Sequence, residues 1–241
     1  MLTLYQFPIS HYCEKIRWAL AYKKLVHRTT NLLPGLHILS TKKLSRDSAV
    51  PILVHDGTVV QNSSDIISYL DERFPDHPLT PAAAELKREA LDWEAFADRE
   101  IGPHVRRYVY SILLDHPAIV TPLFTHNGPW YGPLLIRLMY PRLRKTMRQS
   151  MNINSKTAAA SLQRVERAID TLYAHLQGRK FLAGDRFTRA DLAAAALLAP
   201  LRRPPEYGLQ WPQYLPDELE QTIANCEAKT RWVDTLYETY R

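Results

Sequence analysis

The sequence predicts an α/β domain followed by an all-helical domain. Short apolar strands, tight turns and amphipathic helices alternate from residue 2 to about residue 74. Beyond Pro75 the strand pattern disappears, and long segments with helical apolar spacing follow. Between the two parts lies a cluster of three prolines at Pro75, Pro78 and Pro81, a composition typical of a short stiff linker.

The chain begins with the pattern of a βαβ unit. Residues 2–7 indicate a strand and residues 8–10 a loop, and a helix is predicted from His11 to about Lys24. The apolar positions that recur at helical spacing in this helix are Cys13, Ile16, Ala19 and Leu20. Residues 26–32 supply a second strand.

A hairpin and a helix follow. Pro51 opens an apolar strand over 52–54, and Asp56-Gly57 is a favoured two-residue hairpin turn. The second strand covers residues 58–60. The polar residues 61–65 then lead into an amphipathic helix, whose N-terminus offers unpaired N–H groups that suit a carboxylate.

The rest of the chain predicts helices only. Residues 82–116 indicate one long helix kinked at Gly102-Pro103, and residues 133–151 a basic amphipathic stretch interrupted at Pro141. Another helix is predicted over 156–177, and one or two over 215–240. Residues 188–191 have the Thr-x-x-Asp pattern of a capping box that begins an alanine-rich helix.

Composition favours a globular protein of the cytoplasm. The 241 residues are 46% hydrophobic, enough for a packed core. Lys plus Arg exceed Asp plus Glu by 31 − 25 = 6, which suits a small anionic ligand and is weak support for nucleic acid. Two cysteines exclude a disulfide framework. No signal peptide, membrane span, phosphate-binding glycine loop or metal-ligand spacing is recognised.

Three segments resemble glutathione transferases. Residues 50–74 resemble the second half of the thioredoxin-like domain of that family, residues 7–20 its active-site loop and first helix, and residues 181–191 its C-terminal signature. The resemblance implies a thioredoxin-like domain at residues 1–75, a linker at 76–84 and an all-helical domain at 85–241. It also implies glutathione as co-substrate, a homodimer, no metal and a role in detoxification.

The resemblance assigns the glutathione-binding residues. Pro51 is expected to be cis, and Val50 to present its backbone to the cysteinyl part of glutathione. Ser63 is expected to hold the γ-glutamyl carboxylate. Asn62 departs from the family pattern, in which Glu, Gln or Asp usually precedes that serine; asparagine is shorter than glutamine and lacks the charge of an acid for the glutathione ammonium. Tyr12 is an alternative to Ser10 as a hydroxyl donor.

Two residues are catalytic candidates. Ser10 matches the first cysteine of the CPYC motif of glutaredoxin-like proteins, and Cys13 matches the second. A hydroxyl at residue 10 would stabilise the glutathione thiolate, whereas a serine before a helix is also a common N-cap. Cys13 is either a buried small hydrophobe or a redox cysteine.

The resemblance implies attack of glutathione thiolate on a small, electrophilic, largely apolar substrate. Tyr108, Tyr110 and Trp130 are expected to line the pocket for that substrate between the domains. Two other functions stay open. One is a Cys13-dependent thiol transferase or a glutathione-dependent isomerase similar to prostaglandin or maleylacetoacetate isomerases. The other is a non-catalytic protein that binds glutathione or hydrophobic ligands.

The basic residues between 137 and 148 have no assigned role. They are Arg137, Arg142, Arg144, Lys145 and Arg148. A solvated helix face is the default interpretation, and a patch for a membrane surface or an anionic partner is the alternative.

Overall fold

The computed structural model describes residues 1–241. Its first part contains four strands and three helices. The strands are β1 (Leu2–Gln6), β2 (His27–Asn31), β3 (Ile52–His55) and β4 (Thr58–Gln61). The helices are α1 (His11–Tyr22), α2 (His37–Thr41) and α3 (Ser63–Arg73). The strands and longer helices follow the sequence prediction, whereas the five-residue α2 was not predicted.

The four strands form one mixed sheet in the order β2-β1-β3-β4. β1 runs parallel to β2 and antiparallel to β3, and β3 runs antiparallel to β4. Parallel neighbours need a crossover connection, which α1 supplies. At the centre of the sheet Leu4 pairs with Leu53, and both side chains are fully buried.

The hairpin between β3 and β4 has the geometry that its sequence predicts. Asp56 has φ +46° and Gly57 has φ +86°, so both central residues of the turn adopt left-handed backbone. Such turns match the right-handed twist of the two strands, and glycine reaches this conformation without a Cβ clash.

The second part of the chain is helical throughout. Its helices are α4 (Ala84–Phe96), α5 (Gly102–Leu113), α6 (Pro117–Thr125), α7 (Gly132–Ser150), α8 (Ser155–His175), α9 (Arg189–Arg202) and α10 (Asp217–Tyr240). A π-helical turn, Ala97–Ile101, joins α4 to α5, and a 3-10 turn follows α9 at Pro205–Tyr207. The α/β part followed by an all-helical part confirms the predicted fold class.

Two prolines behave differently along these helices. The π-helical turn Ala97–Ile101 ends immediately before the kink predicted at Gly102-Pro103, and Pro103 lies in the first turn of α5, where a missing N–H is tolerated. The predicted interruption at Pro141 is wrong, because α7 runs through it. Pro141 is exposed, so the carbonyl that its ring leaves unpaired can bind water.

One hydrophobic core of 56 buried residues joins the two parts of the chain. Trp18 of α1 shows how: its Nε1–H donates to the Tyr240 carbonyl at 2.8 Å, and its ring packs on Phe187 and Tyr237. Helix α1 also packs directly against α9. The first domain therefore packs directly on the helical domain and shares its hydrophobic core.

None of the helices combines the length and the apolar composition that crossing a membrane requires.

Candidate functional site

A cavity of about 620 Å³ opens between the sheet domain and the helical domain. Because 15 of its 26 lining residues are hydrophobic, its walls suit an apolar ligand. The sheet domain contributes the loop before α1 and the loop that ends at Val50, and the helical domain contributes one face each of α5 and α7. The residues from these helices include Val105, Val109, Tyr110, Leu143 and Met147.

Ser10 lies in the cavity wall and also caps α1. Its Oγ accepts a hydrogen bond from the Cys13 N–H at 3.3 Å, which is the N-cap interaction. A serine hydroxyl has two acceptor lone pairs and one donor hydrogen, so capping leaves the hydrogen free. The two interpretations of Ser10, N-cap and donor to a thiolate, are thus compatible in one geometry.

Tyr12 also lies in the wall, but its hydroxyl is already used. The Oη donates to the Asp98 carbonyl at 2.9 Å, and burial raises the pKa of Tyr12 well above its usual range. The ring occupies the space that a Cβ at Gly102 would need, which explains why a glycine stands there. Tyr12 therefore serves as a structural link between α1 and the π-helical turn, which disfavours it as a thiolate donor.

Cys13 does not reach the cavity. Its side chain is fully buried, and Cys13 is not part of the cavity wall. Burial raises the pKa of the Cys13 thiol, against the opposing effects of Ser10 and Arg17. A thiol that is buried and protonated at neutral pH is a poor nucleophile, so the geometry favours Ser10 over Cys13.

The Val50–Pro51 peptide bond is cis, as predicted. Val50 lines the cavity, and Pro51 is buried behind it. The preceding loop is held by Gln61, whose Nε2 donates to the Ala49 carbonyl at 2.7 Å and to the Asp47 carbonyl at 3.1 Å. Sequence reasoning missed this role of Gln61, because nothing local to the end of β4 reveals which loop its amide contacts.

Asn62 and Ser63 stand at the N-terminus of α3. Asn62 has φ +80°, and its Oδ1 accepts from the Ser64 N–H at 3.2 Å, so it caps the helix. Ser63 is the first residue of α3 and is 3% exposed. Neither residue is part of the wall of the 620 Å³ cavity, which places them apart from the apolar pocket.

Of the three aromatic residues expected in the second-substrate pocket, only Tyr110 lines the cavity. Tyr108 lies two positions earlier on α5 and therefore points about 200° away around the helix. Its Oη is 2.6 Å from Thr222 Oγ1 in the core of the helical domain. Trp130 precedes α7, is 92% exposed and does not contact the cavity. The expectation that Tyr108 and Trp130 line this pocket is wrong.

Four charged side chains form a largely buried cluster near the site: Lys15, Glu94, Asp98 and Arg189. Lys15 Nζ lies 3.1 Å from Glu94 and 2.7 Å from Asp98, and the Arg189 guanidinium pairs with Glu94. Ser64 Oγ lies within hydrogen-bond distance of both carboxylates, 3.0 Å from Glu94 and 2.8 Å from Asp98, and can donate to either. Burial alone would raise the pKa of Glu94, but Lys15 and Arg189 together lower it. Sequence reasoning missed this cluster because its members lie far apart in the chain.

His11 is a neutral group in the cavity wall. Burial, together with the nearby charge of Arg106, lowers the pKa of His11 to about 3. Its Nε2 is buried and has no hydrogen-bond partner. The structure contains no group of three or more His, Cys, Asp or Glu residues that could hold a metal ion.

Comparisons with known proteins agree with this architecture. The family model for the N-terminal domain of glutathione S-transferase matches residues 4–78, and the model for the C-terminal domain matches residues 134–213. A glutathione S-transferase structure from Rhodospirillum rubrum superimposes with a TM-score of 0.64, covering 100% of this chain and 93% of that one. Its 22% identity shows likeness of fold alone.

Sequence relatives match over shorter stretches. Glutathione S-transferase 1 of Dianthus caryophyllus is 36% identical over 97 residues, 39% of this chain and 43% of that protein. A stringent starvation protein A homolog of Pasteurella multocida is 31% identical over 135 residues, 52% of this chain and 64% of the relative. The chain thus matches less than two thirds of either relative. Since models of both domains match in order along one chain, it belongs to the glutathione S-transferase family.

Proposed function

We propose that this protein is an enzyme that transfers glutathione, as its thiolate, to small electrophilic substrates. The observation that carries the proposal is that Ser10 and Val50 lie in the wall of one apolar cavity between the domains. Glutathione would bind along the cis-Pro51 loop and the N-terminus of α3, with its carboxylate at Ser63. Asn62 caps α3 and would position that helix turn.

In the proposed reaction the glutathione thiol loses its proton to water, and the Ser10 hydroxyl donates a hydrogen bond to the sulfur. This bond stabilises the thiolate, which is the reactive form, because an ordinary thiol has a pKa of about 8.5 and is mostly protonated at neutral pH. The sulfur lone pair then attacks the electrophilic carbon. A carbon–sulfur bond forms while a leaving group departs with its electron pair, or while an activated double bond takes up the pair and then a proton.

The cavity supports an apolar second substrate beside the thiolate. Of the three aromatic residues expected from the sequence, Tyr110 lines the cavity, beside Val105 and Leu143. A thiol transferase that depends on Cys13 is disfavoured, since that thiol is buried and protonated. The homodimer, the cytoplasmic location and the detoxification role stay predictions.

The test is conjugation of glutathione to a chlorinated aromatic substrate at neutral pH. Ser10→Ala removes the hydrogen-bond donor and should lower turnover by about tenfold to a hundredfold, since loss of a single donor to a developing anion costs about that much or more. Cys13→Ala is the matched control in the same helix turn and should change turnover less than about twofold.

Two outcomes would contradict the proposal. If Cys13→Ala is inactive and mass spectrometry finds glutathione attached to Cys13, the thiol-transferase alternative is correct. If the wild-type protein binds glutathione and turns over no electrophile of this class, it is a binding protein.

A further inference from the structure

Arg106 is the one permanently charged cation in the wall of the cavity. It lies on the face of α5 that also carries Val109 and Tyr110 toward the cavity. The nearest carboxylates along the chain, Asp98 and Glu100, pair with Lys15 and with Arg99 instead. Arg106 itself forms no ion pair, so its guanidinium is available to an anionic ligand.

The negative charge of the cavity wall lies on the other domain. Asp47 is the one acidic lining residue, and it is exposed on the loop that leads to Val50. The helical side of the cavity therefore has a positive charge and no negative one. The net charge of +6 for the whole chain adds an attractive field for anions.

We propose that the second substrate is an apolar compound that carries an anionic oxygen group, such as an aromatic carboxylate. Arg106 is its counter-ion, and its apolar body packs on Val105, Leu143 and Met147. This inference rests on the proposed function, because it treats the cavity as the second-substrate site. It makes Arg106 a determinant of specificity.

Calorimetric titration with a matched pair of probes tests the proposal. The probes are 2-naphthoate and 2-naphthamide, which share the apolar body and differ in charge. Wild-type protein should bind the carboxylate about tenfold more tightly than the amide, the effect of a charged hydrogen bond at a partly solvated site. Arg106→Gln should abolish that preference and leave the amide affinity unchanged.

A control variant sharpens the result. Arg99→Gln removes an arginine of the π-helical turn before α5 that is not in the cavity wall, and it should keep the full preference. Equal affinity of wild-type protein for the two probes, or an unchanged preference in Arg106→Gln, would overturn the proposal.

Glutathione is titrated into the same variants to separate this proposal from the proposed function. Arg106→Gln should bind glutathione as the wild type does. If instead it loses glutathione and keeps the carboxylate preference, Arg106 belongs to the glutathione site and the proposal fails. If the wild type binds no glutathione but prefers the carboxylate, the proposed function fails and the anionic subsite stands.

Discussion

At the scale of single residues, the catalytic candidates near the cavity differ in which of their polar groups already have hydrogen-bond partners. Ser10 caps α1 with its oxygen and retains its hydrogen, whereas the Tyr12 hydroxyl is used by the Asp98 carbonyl. Cys13 is buried behind both. Burial and existing hydrogen bonds therefore separate the three candidates more sharply than residue type does.

His11 predicts how stability depends on pH. The pKa of His11 is about 3 in the folded protein and 6.5 for an ordinary histidine. Below pH 6.5 the unfolded chain therefore binds a proton at His11 that the folded protein does not bind. Stability should therefore be complete above pH 6.5 and fall with decreasing pH, at most by about 1.4 kcal/mol per pH unit.

The measurement is urea unfolding between pH 5 and pH 7.5 of the wild type and His11→Gln. The variant should show a pH slope that is smaller by about 1.4 kcal/mol per unit below pH 6. Burial also lowers the pKa of His37 and of His104, but both residues are present in each protein and cancel in the difference. Superimposable slopes would mean that His11 is solvated in the folded state.

At the scale of elements, two helices begin with capping boxes, one buried and one exposed. At α9, Asp191 accepts from the Leu182 N–H at 2.7 Å and from the Thr188 N–H at 2.9 Å. At α8, Asn154 accepts from the Thr157 N–H at 3.0 Å in an exposed setting. The two sites differ mainly in burial: if the acceptor side chain is removed by mutation, water can take its place at α8 but not at α9.

We expect Asp191→Ala to destabilise the protein by about 2–4 kcal/mol, because it leaves the buried N–H groups of Leu182 and Thr188 unpaired and removes the N3 half of the capping box. Asn154→Ala should cost about 1 kcal/mol, since water satisfies the exposed N–H groups. Denaturant unfolding of both variants measures the difference. Equal costs would show that burial contributes nothing to the value of the α9 cap.

At the scale of the whole molecule, the charge cluster joins the domains. Arg189 of α9 is 2% exposed; it pairs with Glu94, and it donates to the Ser64 carbonyl at 2.9 Å and to Thr80 Oγ1 at 3.0 Å. Arg189 thus links three parts of the chain: α3, the segment between α3 and α4, and α4 itself. Removing one partner from such a cluster leaves a buried charge uncompensated.

Arg189→Met should accordingly lower the free energy of unfolding by about 3–5 kcal/mol. Its matched control is Arg179→Met, which breaks an exposed pair with Glu89 and should cost less than about 1 kcal/mol. Thermal and urea unfolding report both values. A cost for Arg189→Met as small as that of the control would show that the buried cluster is not needed to hold the domains together.

The sequence allowed prediction of the features that depend on neighbours in the chain. The Asp56-Gly57 turn and the capping box at residues 188–191 follow from local chemistry, and both are present. The cis bond before Pro51 followed from resemblance. The charge cluster and the contact of Gln61 with its loop could not be predicted, because they depend on how distant segments dock. The prediction that Tyr108 lines the cavity was wrong because it used aromatic content alone and ignored the angular position of the residue around the helix.

The ionisation of bound glutathione tests the central claim most directly. Thiolate absorbance in the ultraviolet is followed against pH for the complexes of glutathione with wild-type protein and with Ser10→Ala. The proposed role of Ser10 predicts a bound-thiol pKa at least one unit below the ordinary thiol value of about 8.5, returning toward that value in Ser10→Ala. A bound-thiol pKa that is ordinary in the wild type, or the same in both proteins, would contradict that role.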